Sequence, residues 1–549
     1  MHGRSPMKVA AGVAAMTLVA VGCSSTPPAG PGTNTNAVIS ISIAEPQQLI
    51  PANTSETSGG EVDNALWTGL VDFDANNKPV MAAAESITST DKKVWTVKIK
   101  AGWTFHDGTP VTSDSYINAW NHGAYGPNAM NNNYFWQLLG VQGYAALNPA
   151  DPDGDGPQKA PTPTTNKMTG LAKVDDTTFT VTLDAPFSDF PAVVGYTAFY
   201  PLPDAAWESD GVLKKEFEDA PIGNGPFKMK TGTKWNHDAN IEVERYDAYK
   251  GTKPKIGGVN FKIYQTQEAA YADLLGGQLD VIDSIPTASL ASAKSDLGDR
   301  YIQKASSTFQ FLAFPTFLPE FSKPEVRKAI SMAIDRQEII DSVFKGSQRV
   351  ADAFVSPVVA GYRKDACGEG CTFNAAAAKA AYDAAGGPKT LKLTYNADGG
   401  HKDWIDATCN QLKTNLGLTA CNGSPEPKFA DMLTKTRAKQ NVGMFRLGWV
   451  MDYPSMGNYL GPLYSTNGSS NYYGYSNPQF DQLVKEGDTA ATPEEAIAKY
   501  QAAEDILIKD MPVIPLRFGA DNAGISTRIK NFDLDAFSRT VLSKVEVTA

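Results

Sequence analysis

Short β-strand patterns alternate with helical patterns along the chain from residue 38 onward. The strand patterns place apolar residues at every second position, as in VISISIAEP at 38–46, KKVWTVKIK at 92–100 and TFTVTL at 178–183. Helical patterns stand between them, for instance EAAYADLLGGQ at 268–278 and PEVRKAISMAIDRQEII at 324–340. The apolar fraction of 42% is that of an ordinary globular protein, and 549 residues are too many for one domain. We therefore predict an α/β protein of two or three domains.

The stretch GMFRLGWVMDYPSMGNYL at 443–460 places two opposite charges in an apolar, aromatic setting. It begins as a strand and continues into a loop around Pro454. Arg446 and Asp452 are six positions apart, so an extended chain would separate them by at most roughly 20 Å. Charges in such surroundings are costly unless a partner meets them. From the residues alone, a structural ion pair or two solvated charges is the favoured interpretation. The alternative is a site for the two charged ends of a short peptide.

The segment GWVMDYP at 448–454 resembles the GW-x-x-DYP segment of the extracytoplasmic dipeptide- and oligopeptide-binding proteins of ABC importers. The resemblance implies that Asp452 holds the α-amino group of a peptide and that Arg446 meets its carboxylate. It also implies a two-lobed periplasmic-binding-protein-like fold of type II, with three sub-domains and a ligand cleft between the lobes. Further matching segments follow in family order: WTVKIKAGWTFHDGTPVTSDSYINAW at 95–120, PIGNGPFKM at 221–229, VRKAISMAIDR at 326–336 and YSNPQFDQLV at 475–484.

The same resemblance, together with the strand and helix patterns, divides the chain into lobes. We expect lobe I to comprise residues 38–80, 201–305 and 525–549, with a compact α/β sub-domain inserted at 81–200. Lobe II should comprise residues 306–524. The chain then crosses between the lobes near residues 305 and 525, which predicts a hinge.

The first 22 residues have the features of a secretion signal. Arg4 and Lys8 precede an apolar run at 9–22 that is shorter than the roughly 20 residues needed to cross a bilayer. Small residues before Cys23 resemble a lipobox, although Ala20 departs from the leucine that the pattern prefers. We predict a signal peptide at 1–22, then a lipidated Cys23 within a flexible tether at 23–37. An ordinary secreted protein is the alternative.

Four cysteines remain for the folded body, namely Cys367, Cys371, Cys409 and Cys421. An even number in an exported protein predicts two disulfides, and three pairings are possible. We favour the pairing local in sequence, 367 with 371 and 409 with 421. Structural zinc is disfavoured because the five histidines, at 2, 106, 122, 237 and 401, are scattered. We expect no bound metal.

The acidic turn DPDGDG at 151–156 resembles the start of a calcium-binding loop. The twelfth position of such a loop carries a bidentate glutamate, but here that position is Thr162. A surface turn is therefore the favoured interpretation, and calcium binding stays open.

Aromatic residues are concentrated around Asp452. We predict that four of them line the ligand pocket: Trp449, Tyr453, Tyr472 and Tyr473. Core packing is the default explanation for any one aromatic ring. A concentration beside Asp452 suits a wide pocket that tolerates varied side chains, and it would equally suit stacking on sugar rings.

Enzyme motifs are absent from the sequence. It contains no GxSxG nucleophile elbow, HExxH zinc pair or P-loop, so we predict a binding protein that is not an enzyme and needs no cofactor. A net charge of −11 argues against nucleic acid and against an anionic membrane surface. The expected partners are short peptides and an ABC permease and ATPase on separate chains, with contact to the cell membrane through the lipid only. We expect a monomer on the outer side of that membrane.

Two other functions remain open from the sequence. The same fold could bind an oligosaccharide, a metal chelate or a haem-like group, because a fold does not determine its ligand. A cell-wall hydrolase is the third hypothesis, since catalytic residues can come from distant positions. The sequence does not define the length or side-chain preference of a bound peptide.

Overall fold

The computed structural model describes residues 34–74, 76–152, 159–209, 211–397, 400–427, 429–440, 443–466, 468, 470–535 and 537–548. The predicted signal peptide, Cys23 and the tether up to residue 33 lie outside the described residues, as do residues 153–156 of the acidic turn. Among the residues that are described, no helix is long and apolar enough to cross a membrane.

The first part of the chain forms the strands and helices that the alternating patterns predict. Up to residue 200 these elements are β1 (Val38–Ile43), α1 (Thr57–Leu66), β2 (Val71–Phe73), β3 (Pro79–Met81), β4 (Ala84–Thr88), β5 (Val94–Ile99), α2 (Ser113–Ala124), α3 (Tyr134–Leu139), α4 (Tyr144–Leu147), β6 (Leu171–Asp175), β7 (Thr178–Thr182) and α5 (Phe190–Val193).

The segment from residue 201 to 300 continues in the same way. It contains β8 (Trp207–Ser209), β9 (Val212–Leu213), β10 (Phe227–Met229), β11 (Asn240–Arg245), β12 (Gly258–Ile263), α6 (Gln267–Leu275), β13 (Val281–Ile282) and α7 (Leu290–Leu297). Helix α6 ends at Leu275 with Gly276 as its C-cap, and β13 follows it as the apolar pattern predicts.

The rest of the chain is richer in helix. Its elements are β14 (Tyr301–Ala313), α8 (Pro324–Met332), α9 (Arg336–Val343), β15 (Arg349–Val350), α10 (Ala375–Ala385), β16 (Thr390–Asn396), α11 (Lys402–Leu416), β17 (Ala420–Glu426), α12 (Phe429–Arg437), β18 (Met444–Trp449), α13 (Met456–Tyr464), α14 (Pro478–Asp488), α15 (Pro493–Asp510), β19 (Val513–Ile525), β20 (Ile529–Lys530) and β21 (Glu546–Val547).

The predicted single helix over 324–340 is wrong, because the structure has two helices there. Helix α8 ends at Met332, and α9 begins at Arg336. Asp335 is the N-cap of α9, where its carboxylate accepts a hydrogen bond from the backbone N–H of Glu338 at 3.0 Å. A short polar residue that satisfies the free N–H groups of a helix start favours a new helix over the continuation of the old one.

One large sheet runs through both predicted lobes. Its strand order is β10-β11-β12-β1-β13-β19-β14-β18-β16-β17, and β15 also pairs with β19. Strands β10 to β13 belong to the predicted lobe I, whereas β16, β17 and β18 belong to the predicted lobe II. The two long strands β14 and β19 lie between these groups and pair with each other along most of their length. They therefore connect the two halves of the molecule.

A separate four-stranded antiparallel sheet, β4-β5-β7-β6, lies within the segment predicted as an inserted sub-domain. Its apolar face packs on α2 and joins the core of lobe I, which contains Ile41, Trp95, Trp120 and Phe261. The end of the chain also contacts lobe I, since the backbone N–H of Thr540 donates to the carboxylate of Glu61 at 3.1 Å.

Lobe II has two hydrophobic cores, one on each face of its part of the sheet. Along β14, Phe309 and Phe311 belong to one core and Leu312 belongs to the other, so the side chains alternate between faces. Both predicted disulfides are confirmed in this lobe. Cys367 bonds Cys371, and Cys409 bonds Cys421, which ties α11 to β17.

Candidate ligand-binding site

Asp452 lies in the loop that connects β18 to α13, and Asn458 fixes its position. Asn458 is buried in the first turn of α13, where its side-chain nitrogen donates to Asp452 Oδ2 at 3.0 Å. Its oxygen accepts from the backbone N–H of Asp452 at 2.9 Å and from Nε1 of Trp449 at 3.1 Å. The side-chain amide of Asn458 therefore orients both Asp452 and Trp449. Asn458 is not among the predicted site residues, although it lies only six residues after Asp452.

Tyr134 approaches Asp452 from the inserted sub-domain. Its hydroxyl donates to Asp452 Oδ1 at 3.3 Å, although 43% of its side chain is still exposed. Tyr134 begins α3, whereas Asp452 belongs to the predicted lobe II. Asp452 therefore lies where the two halves of the molecule face each other, as a residue enclosed by cleft closure must.

The carboxyl group of Asp452 lacks a positive partner in the part of the chain that the structure describes. Burial raises its pKa from 3.8 to about 6, while hydrogen bonds from Asn458 and Tyr134 act in the opposite direction. No cation contributes to this balance. At neutral pH the group is mostly ionised, and it can accept further hydrogen bonds from a cation that enters the cleft.

Arg446 lies on β18 opposite Leu312 of β14, and its guanidinium contacts Nε2 of His401. The other ring nitrogen of His401, Nδ1, accepts a hydrogen bond from Nε1 of Trp404 at 3.1 Å. The guanidinium of Arg446 and the imidazole of His401 therefore lie side by side.

Sequence reasoning did not identify His401 or Arg517 as part of this region. Arg517 lies on β19, and its guanidinium stacks on the rings of Phe344 and Trp404, with centroid distances of 4.3 and 4.8 Å. The sequence does contain a signal for Arg517, since it is a lone cation in the apolar strand segment PVIPLRF. The same kind of signal drew attention to Arg446.

The four predicted pocket aromatics have different positions. Trp449 and Tyr472 are half-buried, and Tyr472 lies beneath the guanidinium of Arg437, 5.5 Å from the ring centroid. Tyr453 is 3% exposed and packs in the core shared with lobe I. Tyr473 is fully buried, and its hydroxyl donates to the carbonyl of Leu463. The rings of Tyr453 and Tyr473 thus have core positions, and ligand contact by the four aromatic residues stays a prediction.

A cavity of about 780 Å³ lies between the lobes. Residues of lobe I form one wall, and the C-terminal end of α9 together with the start of α11 forms the other. The lining includes Thr57, Tyr264, Asp283, Phe344, Gln348, Gly400, Asp403 and Asp521. Its volume is within the range of ordinary small-molecule sites.

No metal centre is found in the residues that the structure describes, because no group of three or more histidine, cysteine, aspartate or glutamate side chains is placed to hold an ion. Only part of the acidic turn at 151–156 is within the described residues, so calcium binding by this turn stays open.

The chain is similar to known solute-binding proteins. The sequence profile described as bacterial extracellular solute-binding proteins, family 5 Middle, matches residues 78–471. The oligopeptide-binding protein OppA of Bacillus subtilis is 27% identical over 494 residues, which are 87% of this chain and 86% of OppA. The periplasmic murein peptide-binding protein MppA of Escherichia coli is 28% identical over 517 residues, 90% of this chain and 91% of MppA.

The structure is also similar to a solved one, the unliganded open form of the murein tripeptide-binding protein MppA. The TM-score is 0.80 at 24% sequence identity, and the match covers 95% of this chain and 99% of the other. At this identity the similarity concerns the fold, and it confirms the predicted two-lobed α/β architecture.

Proposed function

This chain belongs to family 5 of the bacterial extracellular solute-binding proteins, and we propose that it captures short peptides between its lobes and delivers them to an ABC importer. It acts outside the cytoplasm as a receptor and does not catalyse a reaction. OppA and MppA are named for binding oligopeptides and murein peptides, which supports a peptide as the ligand of this chain.

The observation that carries the proposal is the environment of the Asp452 carboxyl group. Its carboxyl group is half-buried between the lobes, is oriented by Asn458 and Tyr134, and has no cationic partner among the described residues. A peptide supplies such a partner in its α-ammonium group. Neutral sugars lack this cation, so the oligosaccharide alternative leaves the charge of Asp452 unexplained.

The guanidinium of Arg446 supports the second half of the proposal. A guanidinium carries several N–H donors, and a peptide carboxylate accepts from two of them at once. The ligand is then held by its two charged ends.

Lobe closure would take place at the paired strands β14 and β19. The register between them shifts between Ala305 and Phe309, where the chain bulges opposite Gly519. A β-carbon on Gly519 would lie 2.6 Å from Ser306 Oγ and 2.8 Å from Thr308 Cβ, so the residue must be small. A bulge interrupts the ladder and bends the strands, which supports a hinge at this point of the sheet.

A lipid on Cys23 would hold the receptor at the outer surface of the cell membrane, with residues 24–37 as the flexible tether. The permease and the ATPase would be separate chains. The sequence of this chain has no P-loop, and its described residues contain no membrane-spanning helix.

Two measurements on the purified full-length protein test the proposed function. Mass spectrometry after denaturation should release peptides of a few residues that were retained through purification. Calorimetry on protein freed of these ligands should detect binding of tri- to pentapeptides but not of neutral oligosaccharides of similar size. Binding of an oligosaccharide with no binding of any peptide in a mixed library would contradict the proposal.

A further inference from the structure

The inserted sub-domain contacts lobe II at a place outside the paired strands β14 and β19. Ser188, which lies just before α5, donates through its backbone N–H to the carbonyl of Asp488 at 2.5 Å. Its hydroxyl lies 3.1 and 2.6 Å from the carbonyl oxygens of Gly487 and Asp488. Gly487 and Asp488 are the last two residues of α14 in lobe II. Hydrogen bonds therefore join the sub-domain to lobe II here, in addition to the continuous strands of the large sheet.

Two carboxyl groups meet at this contact. Asp189 directly follows Ser188, and burial raises its pKa while a hydrogen bond with Ser455 acts in the opposite direction. Its Oδ2 is buried and has no hydrogen-bond partner among the described residues. Burial and the nearby charge of Asp189 raise the pKa of Asp488 from 3.8 to about 7, against the effect of a hydrogen bond with Tyr500. Each aspartate comes from a different side of the contact.

Gly457 allows a third polar group to reach the same place. It lies in the first turn of α13, where a β-carbon would be 2.8 Å from the hydroxyl oxygen of Tyr500 and 3.2 Å from Asp189 Oδ2. The hydroxyl of Tyr500 donates to Asp488 Oδ1 at 2.8 Å. The hydroxyl thus lies near both carboxyl groups, but its single proton satisfies only one of them.

No cation balances the two carboxyl groups in the part of the chain that the structure describes. Neither pKa is affected by a lysine, an arginine or a histidine. The titratable neighbours are the phenols of Tyr453 and Tyr500, which stay neutral because burial and the two aspartates raise their pKa values well above 10. Asp452 lies beyond Tyr453 and adds a further negative charge. Asp189 and Asp488 therefore repel each other when both are ionised, and a single proton removes this repulsion.

We propose that Asp189 and Asp488 make the contact between the inserted sub-domain and lobe II dependent on pH. While either carboxyl group is protonated, the hydrogen bonds of Ser188 hold the sub-domain against lobe II. When both groups are ionised, their repulsion opposes the contact and the two parts separate. The inference concerns the protein without ligand, so it does not depend on which ligand the cleft binds.

The test measures the distance across the contact at pH 5.5 and pH 8.5. Spin labels are attached at Thr90→Cys in the sub-domain and at Ala491→Cys just after α14, two exposed and uncharged positions. A Cys23→Ser background avoids a fifth thiol, since the other four cysteines form disulfides. Pulsed electron paramagnetic resonance on the ligand-free, full-length protein should give one short distance at pH 5.5. The distance should be longer or more broadly distributed at pH 8.5, with a midpoint near pH 7.

Variants of the two aspartates identify the group that titrates. Asp488→Asn and Asp189→Asn each carry an amide that cannot become negative, so each should keep the short distance at both pH values. Asp341→Asn is the matched control, because Asp341 is an exposed aspartate of lobe II that accepts a hydrogen bond from Gln337 at 2.9 Å. This variant should keep the change seen in the wild type. Asp452→Asn should keep it too, which separates the contact from the predicted ligand anchor.

Thermal unfolding is the second measurement. A carboxyl group with a raised pKa contributes stability that is lost as the pH rises from its unfolded value of 3.8 to its folded value, which is about 7 for Asp488. Asparagine does not titrate, so the melting temperature of Asp488→Asn should increasingly exceed that of the wild type as the pH rises through this range.

Three results would overturn the inference. The first is an unchanged distance in the wild type between pH 5.5 and pH 8.5. The second is a change of distance that persists in both asparagine variants. The third is a difference in melting temperature between Asp488→Asn and the wild type that does not grow with pH. If neither asparagine variant folds, the wild-type distances decide.

Discussion

Replacement of Asp452 with asparagine should weaken peptide binding by about 3 kcal/mol, or roughly 100-fold. The magnitude follows from the pKa of Asp452, which burial raises from 3.8 to about 6. One pKa unit corresponds to about 1.4 kcal/mol, so ionisation of this carboxyl group in the ligand-free protein costs about 3 kcal/mol more than it does in water. A peptide ammonium that pairs with the carboxylate recovers this free energy. Asparagine keeps the shape of the side chain but cannot provide the pairing.

The assay is calorimetry on four combinations, in which wild type or Asp452→Asn is titrated with a free or an N-acetylated tripeptide. Acetylation removes the ammonium, so it should weaken binding to the wild type by a similar factor. The two losses should not add, because both remove the same interaction. Asp505→Asn is the control, since Asp505 is an exposed aspartate of the same lobe that pairs with Arg363. Additive losses, or full affinity of the acetylated peptide for the wild type, would refute the assignment of Asp452.

Three further predictions concern pH, closure and stability. Below pH 6 the affinity for peptide should fall by up to about tenfold per pH unit, because protonation of Asp452 removes the charge that pairs with the ammonium. Calorimetry at several pH values should show no such dependence for Asp452→Asn. Small-angle scattering should give a smaller radius of gyration with saturating peptide, and an unchanged curve would argue against a hinge at β14 and β19. In denaturant unfolding, the Cys409→Ser/Cys421→Ser variant should be about 3 kcal/mol less stable than the wild type, because the disulfide closes a loop with a sequence separation of 12. Equal stability of the two proteins would contradict a structural role of this disulfide.

The lipid anchor is a separate prediction. Cys23→Ser should release the protein from the membrane fraction, because the residue that would carry the lipid is gone. If the variant fractionates with the membrane and migrates like the wild type, Cys23 is not lipidated.

The sequence predicted the parts of the fold that depend on local patterns. Alternation predicted β1 and β5, and the glycines after α6 marked its end. The disulfides were predictable because short separations in an exported chain leave few alternatives. The break between α8 and α9 was missed, since the apolar spacing continues across it and only the capping by Asp335 interrupts the helix.

The candidate site could be predicted only where its residues are adjacent in sequence. One strand and the loop that follows it contain Arg446, Trp449 and Asp452, so all three could be identified in a single sequence segment. His401 and Arg517 come from α11's start and β19, and only the pairing of β19 with β14 and β18 brings them to Arg446. The burial of each aromatic side chain could not be predicted either. The sequence gives the same signal for Tyr473, which is in the core, as for Tyr472, which is half-buried.

A crystal structure of the protein with a bound pentapeptide tests the central claim most directly. The account predicts closed lobes and a peptide whose α-ammonium nitrogen lies about 3 Å from a carboxylate oxygen of Asp452, a normal distance for a charge-assisted hydrogen bond. A peptide bound with its amino terminus away from Asp452, or on a surface outside the cleft, would contradict it.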